Sequence, residues 1–173
     1  MCKILAAVLL GLSAFLPLPA LADAPNWTIY TDPDGIFTAE VPQPPVLSTA
    51  EQDNLNGVKV EVKKYLVDRG SSALIIIVSR YEGLDIDDET ALDRSVKGTQ
   101  TEGRTLDSDD PVVVSGHTGR SLVLRDTSGN LLTDRLFFFD HTLYQAITSV
   151  VPGTPDDVKS EANRFAQAFQ FLH

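Results

Sequence analysis

The chain has 173 residues, of which 24 are Asp or Glu and 14 are Lys or Arg, so its formal net charge is −10 at pH 7. A surface of that sign repels phosphate backbones and anionic membranes, which argues against nucleic-acid binding. The length is that of one ordinary domain and is sufficient for a sizeable hydrophobic core.

The first 22 residues have the pattern of a secretory signal peptide. Lys3 gives a basic start, an apolar run extends from Ile4 to Leu16, and Ala20-Leu21-Ala22 places small residues where a signal peptidase cleaves. The apolar run is too short to span a bilayer, and a retained amphipathic anchor is the alternative interpretation. Cleavage between Ala22 and Asp23 predicts an exported protein, periplasmic or secreted, without membrane insertion after the signal is removed.

Cys2 is the single cysteine of the sequence. It precedes the apolar run, so it cannot be the lipidated first residue of a mature lipoprotein, and it leaves with the signal. Residues 23–173 then form one cysteine-free domain, which excludes disulfides, thiolate catalysis and zinc–thiolate sites.

The domain is predicted to begin with two short strands, Trp27–Tyr30 and Phe37–Val41, which are rich in aromatic and β-branched residues. Between them, Thr31–Gly35 combines Pro, Asp and Gly in the manner of a tight turn. The prolines in Pro42–Pro45 end the second strand because proline cannot donate to a ladder.

Two longer strands are predicted to follow a polar segment. Ser48–Asn56 is predicted to be a loop, after one short strand around Val46. The segment Val58–Asp68 alternates, but its apolar parity shifts at Lys63-Lys64, which predicts a β-bulge on an exposed edge. Ala73–Tyr81 is apolar at both parities and predicts a central strand covered on both faces.

A helix is predicted within Gly83–Gly103, where the period of the sequence changes. Asp87 or Asp88 can cap it, and Glu89 lies favourably in its first turn. A thin stripe of residues at helical spacing faces the core: Leu92, Val96 and Thr99.

Strand signals return from Pro111 and continue to Val151, with turns predicted at Ser128–Asn130 and Asp140-His141. The three phenylalanines in this region put Phe137 and Phe139 on one face of a strand and Phe138 on the other. The next strand alternates in the same way, with Leu143 and Ile147 set against Tyr144, Ala146 and Val150. Strands that are apolar on both faces predict the core of a covered sheet.

A second helix is predicted at the end of the chain. Thr154 is the expected N-cap, Pro155 the first helical residue, and Asp156-Asp157 the acidic first turn. One apolar stripe must then dock on the sheet: Val158, Ala162, Phe165, Ala166 and Phe169.

The three histidines do not form a recognisable catalytic arrangement in the sequence. His141 is expected in an exposed turn beside Asp140, His117 in a loop, and His173 is the last residue. Nucleophile-elbow, zinc-protease, phosphate-loop and dinucleotide-binding motifs are all missing from the sequence, so no catalytic residue is assigned.

Two acidic clusters suggest a weak candidate for a divalent-cation site. The first includes Asp87 and Asp88, and the second includes Asp109 and Asp110; they flank the same predicted helix and could meet in space. Calcium prefers several carboxylate and carbonyl oxygens, but neither cluster has the EF-hand pattern. Helix capping explains the first cluster equally well, and a solvated loop explains the second.

The order of elements and several short motifs resemble the PsbP-like proteins, which include extrinsic photosystem II subunits and small exported bacterial proteins. The motifs are Gly35-x-Phe37 with Val41-Pro42, Gly119-Arg120, Leu143-Tyr144, and Arg164-Phe165 with Ala168-Phe169. Members often have serine at the position of Ala168. The resemblance implies an α+β fold, with an antiparallel sheet of about six or more strands and helices packed on its faces as an α/β/α sandwich.

The resemblance also implies a non-catalytic role, because members with known roles bind partners or assemble and stabilise larger complexes, some of them assisting metal retention. We therefore expect an exported protein-interaction module with a protein partner in the cell envelope and without a cofactor. Trp27 is the weak candidate for the contact if its side chain is exposed, since tryptophan is enriched at interface hot spots. The alternative is that Trp27 packs the first strand onto the sheet. A calcium-binding protein is the alternative, and a hydrolase using His117 or His141 ranks third.

Overall fold

The computed structural model describes residues 26–53, 57–100 and 103–172. Their strands are β1 (Thr28–Thr31), β2 (Phe37–Val41), β3 (Val46–Asp53), β4 (Lys59–Asp68), β5 (Ser72–Tyr81), β6 (Thr105–Val114), β7 (His117–Arg125), β8 (Leu131–Phe139), β9 (Thr142–Val150) and β10 (Gln170–Phe171). The helices are α1 (Asp88–Thr99) and α2 (Asp156–Ala168). Neither helix is long and apolar enough to cross a bilayer.

The strands form two antiparallel sheets. The larger has seven strands in the order β3-β4-β5-β9-β8-β7-β6, and the smaller has three in the order β1-β2-β10. Helix α1 packs on β8 and β7, whereas α2 packs on β9, β5 and β2. The seven-stranded sheet therefore lies between α1 on one face and α2 with the small sheet on the other, which confirms the predicted α+β class.

The two faces of the large sheet carry separate hydrophobic cores. The three phenylalanines divide between them as predicted, because Phe137 belongs to the α2 side and Phe138 to the α1 side. The α2 side is rich in aromatic side chains and is called the aromatic core below, with Phe37, Tyr65, Tyr144, Phe165, Phe169 and Phe171 buried together. The α1 side is smaller and mostly aliphatic, with Ala91, Val96, Leu122, Leu124, Leu136 and Leu143.

The predicted loop at Ser48–Asn56 is wrong over the part that the structure describes, since β3 continues to Asp53 and pairs with β4 along its length. β3 is an edge strand whose side chains from Val46 to Gln52 are exposed. Backbone hydrogen bonds hold such a strand, so its polar composition does not prevent it from forming.

The predicted bulge at Lys63-Lys64 is also wrong, because β4 pairs with β5 in one continuous register. β4 is not an edge either, since β3 lies outside it. The apolar parity of β4 shifts because the aromatic core covers only part of one face of the strand. Tyr65 and Val67 pack in this core, whereas Lys63 on the same face lies outside it and forms an ion pair with Asp34.

The acidic segment before Pro111 is part of a strand, contrary to the predicted solvated loop. β6 begins at Thr105 and pairs with β7, with a register shift at Asp107. Two of its three acidic side chains are held by arginines of β7. Asp107 contacts Arg125, and Asp109 forms a two-point ion pair with Arg120. Cross-strand charge pairing allows this composition on an edge strand.

The start of α2 also differs from the prediction. Pro155 occupies the N-cap position, and no side chain caps the helix. The hydroxyl of Thr154, the predicted cap, donates instead to the carbonyl oxygens of Val151 and Ser71. At the other end, Arg135 of β8 donates to the carbonyl oxygen of Ala166 and supplies the cation that the last turn lacks.

Candidate functional site

A cavity of about 770 Å³ lies between α1 and the face of the large sheet on which this helix packs. It exists because α1 packs mainly on β8 and β7 and leaves part of the neighbouring strands β9 and β5 uncovered. Apolar side chains form its floor, and three isoleucines there remain half-buried: Ile75, Ile77 and Ile147. The predicted covering of β5 on both faces is thus correct on the α2 side and incomplete on the α1 side.

Asp134 lies on the floor of this α1 cavity, in register with Leu122 and Ile147. Its side chain is only 4% exposed. One oxygen, Oδ2, accepts a hydrogen bond from Gln145 Nε2 at 2.8 Å, while Oδ1 has no hydrogen-bond partner among the described residues. A buried carboxyl oxygen without a partner is costly, and the residue that carries it lines the cavity.

Burial raises the pKa of Asp134 from the ordinary 3.8 to about 7, because desolvation disfavours the carboxylate. The hydrogen bond from Gln145 and the positive charge of Arg104 oppose this shift without cancelling it. Near neutral pH the group is therefore divided between its neutral and ionised forms, and the neutral form is a hydrogen-bond donor.

Three basic side chains line the same cavity, Lys64 of β4, Arg94 of α1 and Arg104 before β6. The acidic side chain of Asp126 also lines it, but its oxygens accept hydrogen bonds from Ser128 and Asn130 in the β7–β8 turn. The α1 cavity thus combines an apolar floor, one buried carboxyl group and basic side chains in a protein that is acidic as a whole.

A second surface lies on the outer face of the small sheet. The Arg164 guanidinium lies over the Trp27 ring at 4.7 Å from its centroid, and Arg164 Nε donates to Glu40 at 2.5 Å. Ile29 is paired with Glu40 and is 73% exposed. Trp27, Ile29, Glu40 and Arg164 are together called the Trp27 patch below.

Comparison with known proteins gives no match to any family model and none to any curated protein sequence. The structure is similar to the solution structure of cyanobacterial PsbP (CyanoP) from Synechocystis sp. PCC 6803, with a TM-score of 0.54. The similarity covers 90% of this chain and 99% of that chain, at 17% sequence identity. This chain has a PsbP-like fold.

The motifs that carried the resemblance have structural roles in the PsbP-like fold. Gly35 adopts a positive φ in the β1–β2 turn, and Phe37 is fully buried. At Gly119 a Cβ would collide with the carbonyl oxygen of Leu136 and with the Phe137 ring, so only glycine lets β7 and β8 approach as they do.

The fold does not gather the four weak metal candidates into one site. Asp87 caps α1 by accepting hydrogen bonds from the backbone N–H and hydroxyl of Thr90, which also lowers the pKa of Asp87. Asp109 is held by Arg120, whose Nη1 also approaches Asp93 of α1 at 3.3 Å. Asp88 and Asp110 are exposed. Across the described ranges, no group of three or more potential metal ligands converges.

The two histidines within the described ranges lie in different environments. His141 is exposed in the predicted Asp140-His141 turn, where both residues adopt positive φ. His117 is the first residue of β7 rather than a loop residue, and its ring stacks on Phe139 with 3.9 Å between centroids. His173 lies outside the described residues.

One further buried carboxyl group has a structural role. Asp32 accepts hydrogen bonds from Tyr65 Oη at 2.6 Å and from the backbone N–H of Ile36 at 3.3 Å. Burial, followed by this hydrogen bond, raises the pKa of Tyr65. The pair fixes the β1–β2 turn against β4, which is the purpose that the turn motif alone could not reveal.

Proposed function

We propose that the protein is an exported, non-catalytic module that binds a protein partner in the cell envelope and assembles or stabilises a larger complex. The observation that supports the proposal most directly is the Trp27 patch, where Arg164 lies over the ring of Trp27. The PsbP-like fold is consistent with this role but does not determine it.

The chemistry of the Trp27 patch suits a protein contact. Tryptophan and arginine are enriched at interface hot spots, and the cation–π contact restrains the ring before binding. Exposed Ile29 adds apolar surface next to it. β1 is an outer strand of the small sheet, so a partner segment could also add to its backbone edge.

Export remains part of the proposal and places the Trp27 patch close to a new N-terminus. Cleavage between Ala22 and Asp23 would leave Trp27 a few residues from the chain end. N-terminal sequencing of protein recovered from the cell envelope would give Asp23 first, whereas a chain that begins at Met1 would contradict cleavage.

Affinity capture with light cross-linking tests the partner. Tagged residues 23–173 are added to the envelope fraction of the source organism in parallel with the variants Trp27→Ala and Ile29→Asp. The matched control is Val113→Asp, because Val113 is 65% exposed and lies on β6 of the large sheet, outside the Trp27 patch. We expect one dominant protein in near-equal amount with the wild type and the control, and a loss of at least tenfold with the patch variants.

Two results would contradict the proposal. If folded wild-type protein captures nothing, the proposed protein partner does not exist. If all four proteins capture the same amount, the Trp27 patch is not the contact surface.

Calcium binding through Asp87, Asp88, Asp109 and Asp110 stays a prediction from sequence, since no contact in the described residues favours it. A calcium-dependent rise in Tm that Asn replacements abolish would support it.

A further inference from the structure

We propose that the α1 cavity binds a small amphipathic carboxylate, with its apolar part on the isoleucine floor and its carboxylate between Asp134 and the basic lining side chains. The inference is separate from the proposed partner contact, because the Trp27 patch lies on the small sheet and the cavity on the opposite face of the large sheet.

The size and lining of the cavity indicate a small molecule. A volume of about 770 Å³ lies within the range of roughly 300–1,000 Å³ that is usual for small-molecule sites. Ile75, Ile77 and Ile147 lie on neighbouring strands of the floor and remain half-buried, so a ligand would remove further apolar surface from water.

The polar part of the ligand is indicated by the free oxygen of Asp134. Gln145 donates to Oδ2, so in the neutral acid the proton resides on Oδ1, which has no acceptor among the described residues. Oδ1 itself is buried from the cavity, so the Asp134 side chain must turn towards it for a ligand oxygen to accept that proton. The hydrogen bond would then satisfy a group that is 96% buried, given its 4% exposure.

The charges that line the cavity favour an anion over a cation. Lys64, Arg94 and Arg104 project from three different parts of the chain, and the neighbouring Asp126 is engaged by its own turn. A carboxylate ligand would gain from these cations, and it would also favour the protonated form of Asp134. An amine would be repelled by these cations, and it would favour the ionised form of Asp134.

The proposal therefore predicts that binding is coupled to a proton on Asp134. The titratable groups that face the same cavity are Lys64, Tyr81, Arg94, Arg104, Asp126 and Asp134. Burial raises the pKa of Asp134 to about 7, and a ligand that needs its neutral form binds less tightly above that pH. The Kd should rise by up to tenfold per pH unit between pH 7 and 9.

Calorimetric titration of residues 23–173 with decanoate, decanol and decylamine at pH 6, 7, 8 and 9 tests the inference. We expect decanoate to bind most tightly at pH 6 with the stated pH dependence, and decanol to bind with little dependence on pH. Tightest binding of decylamine, strengthening as pH rises, would overturn the assignment of a carboxylate. Failure of all three probes would overturn the cavity as a ligand site.

Two variants locate the binding. In Asp134→Asn the amide oxygen can accept from Gln145 while Nδ2 remains a permanent donor, so decanoate binding should persist and lose its dependence on pH. Ile147→Phe should occupy the floor beside Asp134 and weaken all probes by at least tenfold, with Val113→Phe on β6 as the exposed control. An unchanged pH dependence in Asp134→Asn would contradict the role of Asp134, even if Ile147→Phe does not fold.

Discussion

The carboxyl group of Asp134 couples the folding of this protein to pH. Its pKa is about 7 in the folded chain and near the ordinary 3.8 in the unfolded chain, because only the folded state buries it. The folded state therefore binds this proton more tightly than the unfolded state does. The contribution of the bound proton to the free energy of unfolding is complete below pH 4. It is lost as pH rises from 4 towards 7 and does not change further above that range.

We predict that Asp134→Asn removes this dependence. Each pH unit over which folded and unfolded protonation differ is worth about 1.4 kcal/mol, so the variant should gain about 4 kcal/mol relative to wild type between pH 4 and 8. Urea unfolding of both proteins across this range measures the difference. Parallel profiles would show that Asp134 does not titrate differently in the two states.

Asp134 could have been suspected from the sequence, because it shares its parity in the strand with Leu132, Leu136 and Phe138. A charged residue at an inward position of an apolar strand is unusual and costly. The cavity around it could not be predicted, since it depends on how far α1 extends across the sheet. The residue type alone made Trp27 a candidate. Trp27 is half-buried and also packs against the core on the α2 side, and its contact with Arg164 depends on the packing of α2 against the small sheet.

Among the elements, the close contact of β7 with β8 depends on the missing side chain of Gly119. An added methyl group would meet the backbone of Leu136 and the Phe137 ring, neither of which can move without disturbing the aromatic core. Gly98 in α1 is different, because a Cβ there would meet nothing within 4 Å.

The two alanine substitutions should change stability in opposite directions. Gly119→Ala should lower the free energy of unfolding by about 1–3 kcal/mol through overpacking. Gly98→Ala should raise it by up to about 1 kcal/mol, because alanine has the higher helix propensity. Urea denaturation measures both, and a loss in Gly98→Ala as large as that in Gly119→Ala would contradict the steric explanation.

The elements that the sequence predicted well are those in which apolar side chains occupy the buried positions and polar side chains the exposed ones. β2 has the predicted bounds, and β5, β8 and β9 are apolar at both parities because both faces of the sheet are packed along at least part of their length. Most of β3 beyond the predicted short strand around Val46, and most of β6, were missed for the opposite reason, since edge strands are held by backbone pairing and tolerate polar side chains. Thr154 was misread as a cap because the competing acceptor, Ser71 O, is distant in sequence.

At the scale of the molecule, the last residues of the described chain hold the small sheet against the large one. Phe171 lies in the two-residue strand β10 beside β2, and its ring contacts those of Phe137, Phe139, Tyr144 and Phe169 with centroids 5.0–5.2 Å apart. The small sheet is thereby joined to the large one at a point close to the C-terminus.

We predict that Phe171→Ala lowers the free energy of unfolding by about 3–5 kcal/mol, which is the usual cost of truncating a buried phenylalanine. The neighbouring substitution Leu172→Ala should cost less than about 0.5 kcal/mol, because Leu172 is 45% exposed. Thermal and urea unfolding of the pair provide the comparison. Equal losses in the two variants would contradict the specific packing role of the Phe171 ring.

The composition of β6 also affects how the molecule behaves in crowded solution. An open seven-stranded sheet offers backbone edges on which a second copy could begin a fibril. On β6, exposed Asp110 would face the like charges of an incoming copy, Pro111 withholds a backbone donor, and the register shift at Asp107 distorts the edge. The acidic run that resembled a cation site in the sequence thus disfavours the pairing of a second copy along the β6 edge.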